Sequence, residues 1–301
     1  MYNLPYNIIE KTMTVENINP WTGDINYRYE YFNAEQIEAK LVASAKAYPK
    51  WSALSFADRA DYINKVAAML REHRERIAST MTAEMGKLRR EALGEIEKSA
   101  GACEYYAKQA QLYMQDKNIA TEATHSFVSY EPIGCVFAVM PWNFPIWQVF
   151  RFLAPGLMAG NVALLKHATN VPQCADLIAE MLHLAGVPEG VFGVMHINNQ
   201  DAAQIIADPR VHAITLTGSE RAGKSVASNA GNNLKKCVME LGGSDPFVVL
   251  DDADLNKAIP IAIASRFGNG GQTCIAAKRF ILTPGIAYDF VTRFVEAAAK
   301  L

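Results

Sequence analysis

The chain has 301 residues, half of them hydrophobic and a fifth charged, with Lys+Arg 29 against Asp+Glu 31 and a formal net charge of −2 at pH 7. At roughly 150 residues per domain this length holds about two domains with sizeable cores, and the ordinary composition excludes a disordered tail, a collagen-like repeat or a coiled-coil rod. The near-neutral balance offers no electrostatic footprint for nucleic acid.

The leading segment MYNLPYNIIEK has no basic run followed by an apolar one, and no stretch reaches about 18 uncharged apolar residues. A soluble, cytoplasmic chain without membrane contact is therefore expected. The five cysteines are odd in number and form no C-x-x-C pair, and the six histidines are scattered without H-E-x-x-H. Neither a disulfide framework nor a metal site is expected.

From about Asn33 to Asp116 apolar residues such as Ile63, Val66, Met69 and Leu70 recur at helical spacing among charges, which predicts a helical layer. Pro49, Gly86 and Gly94 are the expected breaks within it. From His125 the texture changes to short β-rich runs, SFVSY, CVFAVM, VALLKH, VFGVMHI, HAITLT, KKCVME and FVVL, with helical stretches such as 175–185 and 221–229 between them. Alternating strands and helices predict an α/β fold with a parallel, doubly wound sheet, the class that binds ligands at the carboxyl ends of its strands.

Five segments at such ends could carry chemistry. In Pro141-Trp-Asn-Phe-Pro145 two prolines force the chain out of the sheet and restrain Asn143, whose amide suits an oxyanion; the alternative is an ordinary turn among core aromatics. Lys166 ends the apolar run VALLK and can offer its ammonium to a ribose or phosphate, or snorkel from a sheet edge. Gly218-Ser-Glu-Arg-Ala-Gly-Lys-Ser225 satisfies G-x-x-x-x-G-K-[ST] between a strand and a helix, and FVVLDD ends in Asp251 and Asp252 as a Mg²⁺-holding strand would. A P-loop NTPase is thus a competitor. The same turn also suits a dinucleotide pyrophosphate on the N–H groups of a helix start.

Glu240 closes KKCVME just before Gly242 and Gly243, where partial burial at a cleft rim would raise its pKa toward that of a general base; a solvated carboxylate is the ordinary alternative. Finally, Gly268, Gly270 and Gly271 precede Cys274 on an accessible loop, which points to a nucleophilic thiol. Cys103, Cys135, Cys174 and Cys237 read as packed small hydrophobes.

With PWNFP, LLKHAT, LTGSERAGK, MELGG and GQTC in that order, the sequence resembles the NAD(P)-dependent aldehyde dehydrogenase superfamily over essentially its whole length, with most likeness to succinate-semialdehyde dehydrogenases. The resemblance implies that Cys274 matches the nucleophile, Glu240 the general base and Asn143 the oxyanion donor. It implies Lys166 on the adenosine ribose, Gly218 and Ser219 near the pyrophosphate, and Trp142, Thr169 and Leu241 among the residues around NAD or NADP. Lys224 would then lie on the helix with no triphosphate to hold. The chemistry implied is oxidation of an aldehyde to the acid through a thiohemiacetal and a thioester.

Arg151 stands where succinate-semialdehyde dehydrogenases carry an arginine for the substrate carboxylate, and a guanidinium fits a carboxylate bidentately. A second arginine those enzymes often carry is replaced by Gly268. Thr169 stands where many NAD-preferring relatives have an acid, so a 2′-phosphate would not be repelled.

By the same resemblance, residues 1–242 are expected to form the NAD(P)-binding domain with its N-terminal helices, and 243–301 only the start of a second α/β catalytic domain. The family normally continues for about half this length again. This polypeptide alone is therefore expected to have little or no dehydrogenase activity, a non-catalytic cofactor-binding remnant being the alternative; the full-length form is expected to be a homo-oligomer, dimer or tetramer, acting on a small-molecule aldehyde.

Overall fold

The computed structural model describes residues 14–301, so the leading segment MYNLPYNIIEK lies outside the described residues. The chain opens with an antiparallel hairpin, β1 (Thr14–Ile18) and β2 (Ile25–Glu30), which the sequence reading did not anticipate. Asn17, fully buried, donates to the Asn170 carbonyl at 2.6 Å, and the Tyr29 hydroxyl donates to the Thr169 carbonyl at 3.1 Å. The hairpin thus seats on the loop that follows LLKH.

Four helices follow: α1 (Ala34–Ser52), α2 (Phe56–Glu72), α3 (Arg74–Met85) and α4 (Arg89–Tyr113). Asn33 and Ser55 start the first two through capping boxes with Gln36 and Asp58, satisfying N–H groups that lack intrahelical partners. Gly86, at φ 75°, ends α3 in the left-handed conformation open to glycine. The other two expected breaks are not breaks. Pro49 sits in the last turn of α1, where a single carbonyl loses its donor and Trp51 Nε1–H anchors the helix end on the Leu157 carbonyl at 3.0 Å. Gly94 lies on the exposed side of α4, whose opposite stripe of Ala92, Ile96, Ala100 and Cys103 is buried; packing outweighs the glycine's cost of about 1 kcal/mol.

Beyond a small hairpin of β3 (Lys117–Asn118) with β4 (Phe127–Val128), the chain enters the main sheet. In chain order come β5 (Cys135–Val139), α5 (Trp147–Met158), β6 (Val162–Lys166), α6 (Pro172–Leu184), β7 (Phe192–Val194), α7 (Asn199–Ala207), β8 (Val211–Gly218), α8 (Glu220–Asn232) and β9 (Lys236–Leu241). The strands pair in parallel in the order β7-β6-β5-β8-β9. Every residue of β6 is buried, as a strand covered on both faces must be. SFVSY and FVVL do not join this sheet. The first gives only β4; the second gives β10 (Asp245–Val249), paired in parallel with β11 (Ala277–Leu282) in a sheet of its own.

That sheet carries α9 (Leu255–Phe267) and α10 (Pro284–Ala298) and a separate core of Val249, Leu255, Ile259, Ala262, Ile286 and Phe290, with Phe247, Phe280 and Phe294 packed against it. In the main sheet the winding reverses between β5 and β8, so their carboxyl ends part and leave a crevice. PWNFP leaves β5 there, and Gly218-Ser219 leaves β8. No described helix is long and apolar enough to cross a membrane.

Candidate active site

The PWNFP turn is tied down from the Asn143 carbonyl onward. The His167 ring donates from Nε2 to the Pro145 carbonyl at 2.9 Å and accepts at Nδ1 from the Ala168 N–H, so it is held neutral, and burial pushes its pKa down to about 4. The Glu95 carboxylate accepts from the N–H groups of Ile146 and Trp147, both at 2.9 Å, at the start of α5. Its other oxygen pairs with Lys87, whose ammonium lies 3.9 Å from the centre of the Phe144 ring. Both charges are essentially buried, so each depends on the other. Residues of the helical layer thereby fix a turn about fifty positions later in the chain.

Asn143 reaches from this turn to the cysteine loop: its Nδ2 donates to the Gln272 carbonyl at 2.8 Å, leaving one amide proton over. Asn269 returns the contact, donating from Nδ2 to the Asn143 carbonyl at 2.7 Å while its N–H reaches Glu91 Oε1 at 2.9 Å. Asn269, Gly270 and Gly271 all have positive φ, 56°, 63° and 78°, a conformation that favours Asn and Gly. This left-handed run turns the chain so that Cys274 follows in a half-exposed turn. Cys103 and Cys135, by contrast, are buried, which pushes their thiols up to about 12 and about 11.

One cavity of about 390 Å³ joins these parts. It is lined by Trp142, Asn143, Gly218, Ser219, Leu241 and Cys274, with Gln148, Thr217, Gln272 and Lys278 beside them. The Lys278 ammonium donates to the carbonyls of Gly243 at 2.6 Å and Cys274 at 2.8 Å, bracing the cysteine loop against the end of β9. Six of the ten expected site residues thus share one space.

The other four do not line it. Glu240 is exposed rather than partly buried: β9 is the sheet's edge strand, and the carboxylate stands 3.6 Å from Arg151 Nη1. Arg151 also donates from Nη2 to Thr217 Oγ1 at 3.2 Å, which brings its head to the cavity wall. Lys166 is neither at a sheet edge nor snorkelling; it is 7% exposed at the end of the second strand, and burial holds its ammonium below the usual lysine range. Thr169 is exposed in the loop that the Tyr29 hydroxyl holds.

The phosphate-loop reading fails on geometry. Gly218 is the last residue of β8, Ser219 caps α8 by accepting from the Ala222 N–H at 3.2 Å, and the helix starts at once. No loop remains to wrap a triphosphate. Lys224 points along the helix surface to Glu220 at 2.7 Å, and Asp251 lies in the turn after β10, beside the other sheet, accepting from the Thr283 hydroxyl. The second glycine of the motif has a packing cause: a Cβ on Gly223 would lie 2.6 Å from Leu241 Cδ2.

Asn269, Glu95, Lys87, Gln148 and Lys278 were not singled out from sequence. Asn269 alone carried a signal, an Asn before two glycines. No cluster of three or more metal-ligating side chains occurs among the described residues.

A family model described as aldehyde dehydrogenase family matches residues 8–301. A protein of Synechocystis sp. named a probable succinate-semialdehyde dehydrogenase [NADP(+)] is 48% identical over 96% of this chain and 64% of its own. A succinate semialdehyde dehydrogenase [NAD(P)+] of Escherichia coli is 44% identical over 95% of this chain and 62% of its own. Among solved structures, the succinic semialdehyde dehydrogenase of Streptococcus pyogenes in complex with NADP+ superposes with a TM-score of 0.91 at 35% identity, over 95% of this chain and 63% of that one. The chain thus spans a little under two thirds of the relatives it matches.

Proposed function

The chain belongs to the aldehyde dehydrogenase family, and from that premise we propose that it carries the cofactor-binding domain, residues 1–242, and the thiol-bearing start of the catalytic domain, residues 243–301, of an enzyme that oxidises a semialdehyde of the succinate type to its acid with NADP+ or NAD+. The observation that carries the reading is the shared cavity: the Cys274 loop, the Asn143 amide and the start of α8 meet at the crevice where the sheet reverses.

The residues at this crevice fit a dinucleotide. The first N–H groups of α8 have no intrahelical partners, the Ser219 hydroxyl stands at the helix start, and the Lys166 ammonium sits at the end of β6. Gly218, Ser219, Trp142 and Leu241 would hold the cofactor on the cavity side, and Lys166 and Thr169 beside its ribose. Thr169 brings no negative charge against a 2′-phosphate, and relatives named for NADP(+) support that choice. Bound NAD(P)+ supplies the hydride acceptor that turns a thiohemiacetal into a thioester.

The protein's own part is nucleophilic and electrostatic. The Cys274 sulfur adds to the aldehyde carbon, and the carbonyl π pair moves onto oxygen. The amide proton of Asn143 not used by Gln272, together with the Cys274 N–H, stabilises that oxyanion; a donor of this kind is worth about 3–4 kcal/mol. Glu240 takes a proton from the water that hydrolyses the thioester, and the sulfur leaves as thiolate to restart the cycle. Arg151 receives the substrate's far carboxylate.

Two measurements on the purified chain test this. NADP+ is expected to raise its melting temperature, with Mg·ATP giving no shift. Succinate semialdehyde is expected to protect Cys274 from iodoacetamide, read by peptide mass spectrometry. Alkylation of Cys274 at the same rate with and without the aldehyde, with no shift from either dinucleotide, overturns the proposal.

A further inference from the structure

Helix α5, WQVFRFLAPGLM, is apolar apart from Gln148 and Arg151 and the indole of Trp147. Gln148 lies in its first turn, 4% exposed; its buried side-chain oxygen has no hydrogen-bond partner, and its side-chain N–H₂ donates to none of the described residues. Burying an unsatisfied amide costs about 1–3 kcal/mol, and a hydrophobic residue would pack at that position without the penalty. The residue lines the Cys274 cavity, in company with Asn143 and Thr217.

Arg151 is three residues further on, so the two side chains leave the same face of α5 with their Cβ atoms about 5–6 Å apart. The guanidinium rests on Thr217, which also lines the cavity. An amide and a guanidinium side by side, in an otherwise apolar helix beside a thiol, are a donor set for a carboxylate. The position six residues before Cys274, Gly268, offers no side chain to share the task.

We propose that Gln148 is a specificity-determining residue: its side-chain N–H₂ donates to the distal carboxylate of the semialdehyde alongside the Arg151 guanidinium. This deepens the proposed function and rests on it. Gln148 supplies a neutral donor where a second cation would also pull on the neighbouring Glu240. It selects a chain that carries a carboxylate at its far end and disfavours an alkanal of equal length, because the latter offers no acceptor to the N–H₂ group.

The test compares two four-carbon aldehydes on the full chain, succinate semialdehyde and butanal, each by the concentration that halves the alkylation of Cys274 by iodoacetamide. Thiohemiacetal formation moves no electrons to an external acceptor: the C–S bond forms, the carbonyl oxygen takes the thiol proton, and the sulfur is masked. Wild-type protein is expected to prefer the semialdehyde. Gln148→Met, which keeps volume and removes the donors, is expected to cut that preference about tenfold, the usual worth of a hydrogen bond to a charge. Gln148→Glu, which sets a carboxylate against the substrate's own, is expected to abolish it; retained melting by circular dichroism shows that each variant is folded. A preference unchanged in both folded variants overturns the assignment of Gln148 while leaving the proposed function standing. Failure of both aldehydes to protect wild-type Cys274 overturns the proposed function and this assignment with it.

Discussion

His167 shows how a single side chain ties the loop after β6 to the Asn143 turn. Its neutral ring bridges Pro145 and Ala168, and burial beside the Lys166 ammonium pushes the pKa from 6.5 down to about 4. The unfolded chain therefore binds a proton that the folded one refuses between those values. The resulting stability is fully present above pH 6.5 and is lost as pH falls toward 4, to a total of about 3 kcal/mol. Glu84 acts the other way. Burial pushes its carboxyl up to about 7 although it accepts from the N–H groups of Gln173 and Cys174, so it lowers stability as pH rises from 4.5 to 7. The wild-type curve is a sum of the two. Urea midpoints of wild type and His167→Gln are expected to converge as pH is lowered from 7 to 4, and curves that stay parallel refute the assignment. Residues whose cause is local could be read from sequence: Asn143 between prolines, Cys274 after glycines. Glu95 and Asn269 act through partners 3 to 178 positions away, and in a helical pattern a glutamate with a buried partner looks like a surface one.

At the level of elements, α8 against β9 is the junction most sensitive to one atom. Gly223 lies on the helix face over Leu241, itself on the cavity wall. Gly223→Ala is expected to destabilise the protein by about 1–3 kcal/mol by chemical denaturation and to weaken the stabilisation by NADP+, since the clash displaces Leu241. Gly94→Ala, with nothing within 4 Å of the new Cβ, is the matched control and is expected to gain about 0.5–1 kcal/mol. Equal effects of the two substitutions would refute the contact argument. The same pair explains a limit of the sequence reading. A glycine marks a break, a cap or a close approach alike, and only the neighbour across space decides. Gly86 is a cap, Gly94 is tolerated, and Gly223 serves packing, which is why a phosphate-loop pattern arises here without its loop.

At the scale of the molecule, two unequal cores divide the work. The large one spans the helical layer and the main sheet from Leu41 to Ala230; the small one holds six buried residues around β10 and β11. Hydrogen exchange is expected to be slowest in β5 and β6, which have neighbours on both sides, and at least about tenfold faster in β9, β10 and β11. Uniform protection across both sheets would contradict this division. The alternation of strands and helices was legible because the periodicity changes at each element. The membership of FVVL in a separate sheet was not, since a short apolar run in a parallel strand reads the same in either. The opening hairpin also escaped notice: β2, INYRYE, is largely exposed and shows no buried face.

The bond from Asn143 to Gln272 bridges 129 residues. Synthesis proceeds from the amino end, so the turn that presents Asn143 emerges well before the loop it grips. The helical layer can brace that turn early through Glu95, while the sulfur of Cys274 arrives well over a hundred residues later. A nascent chain on the ribosome therefore displays a prepared amide with no thiol beside it, and electrophiles met during translation find nothing to react with at that position until the polymer has closed on itself.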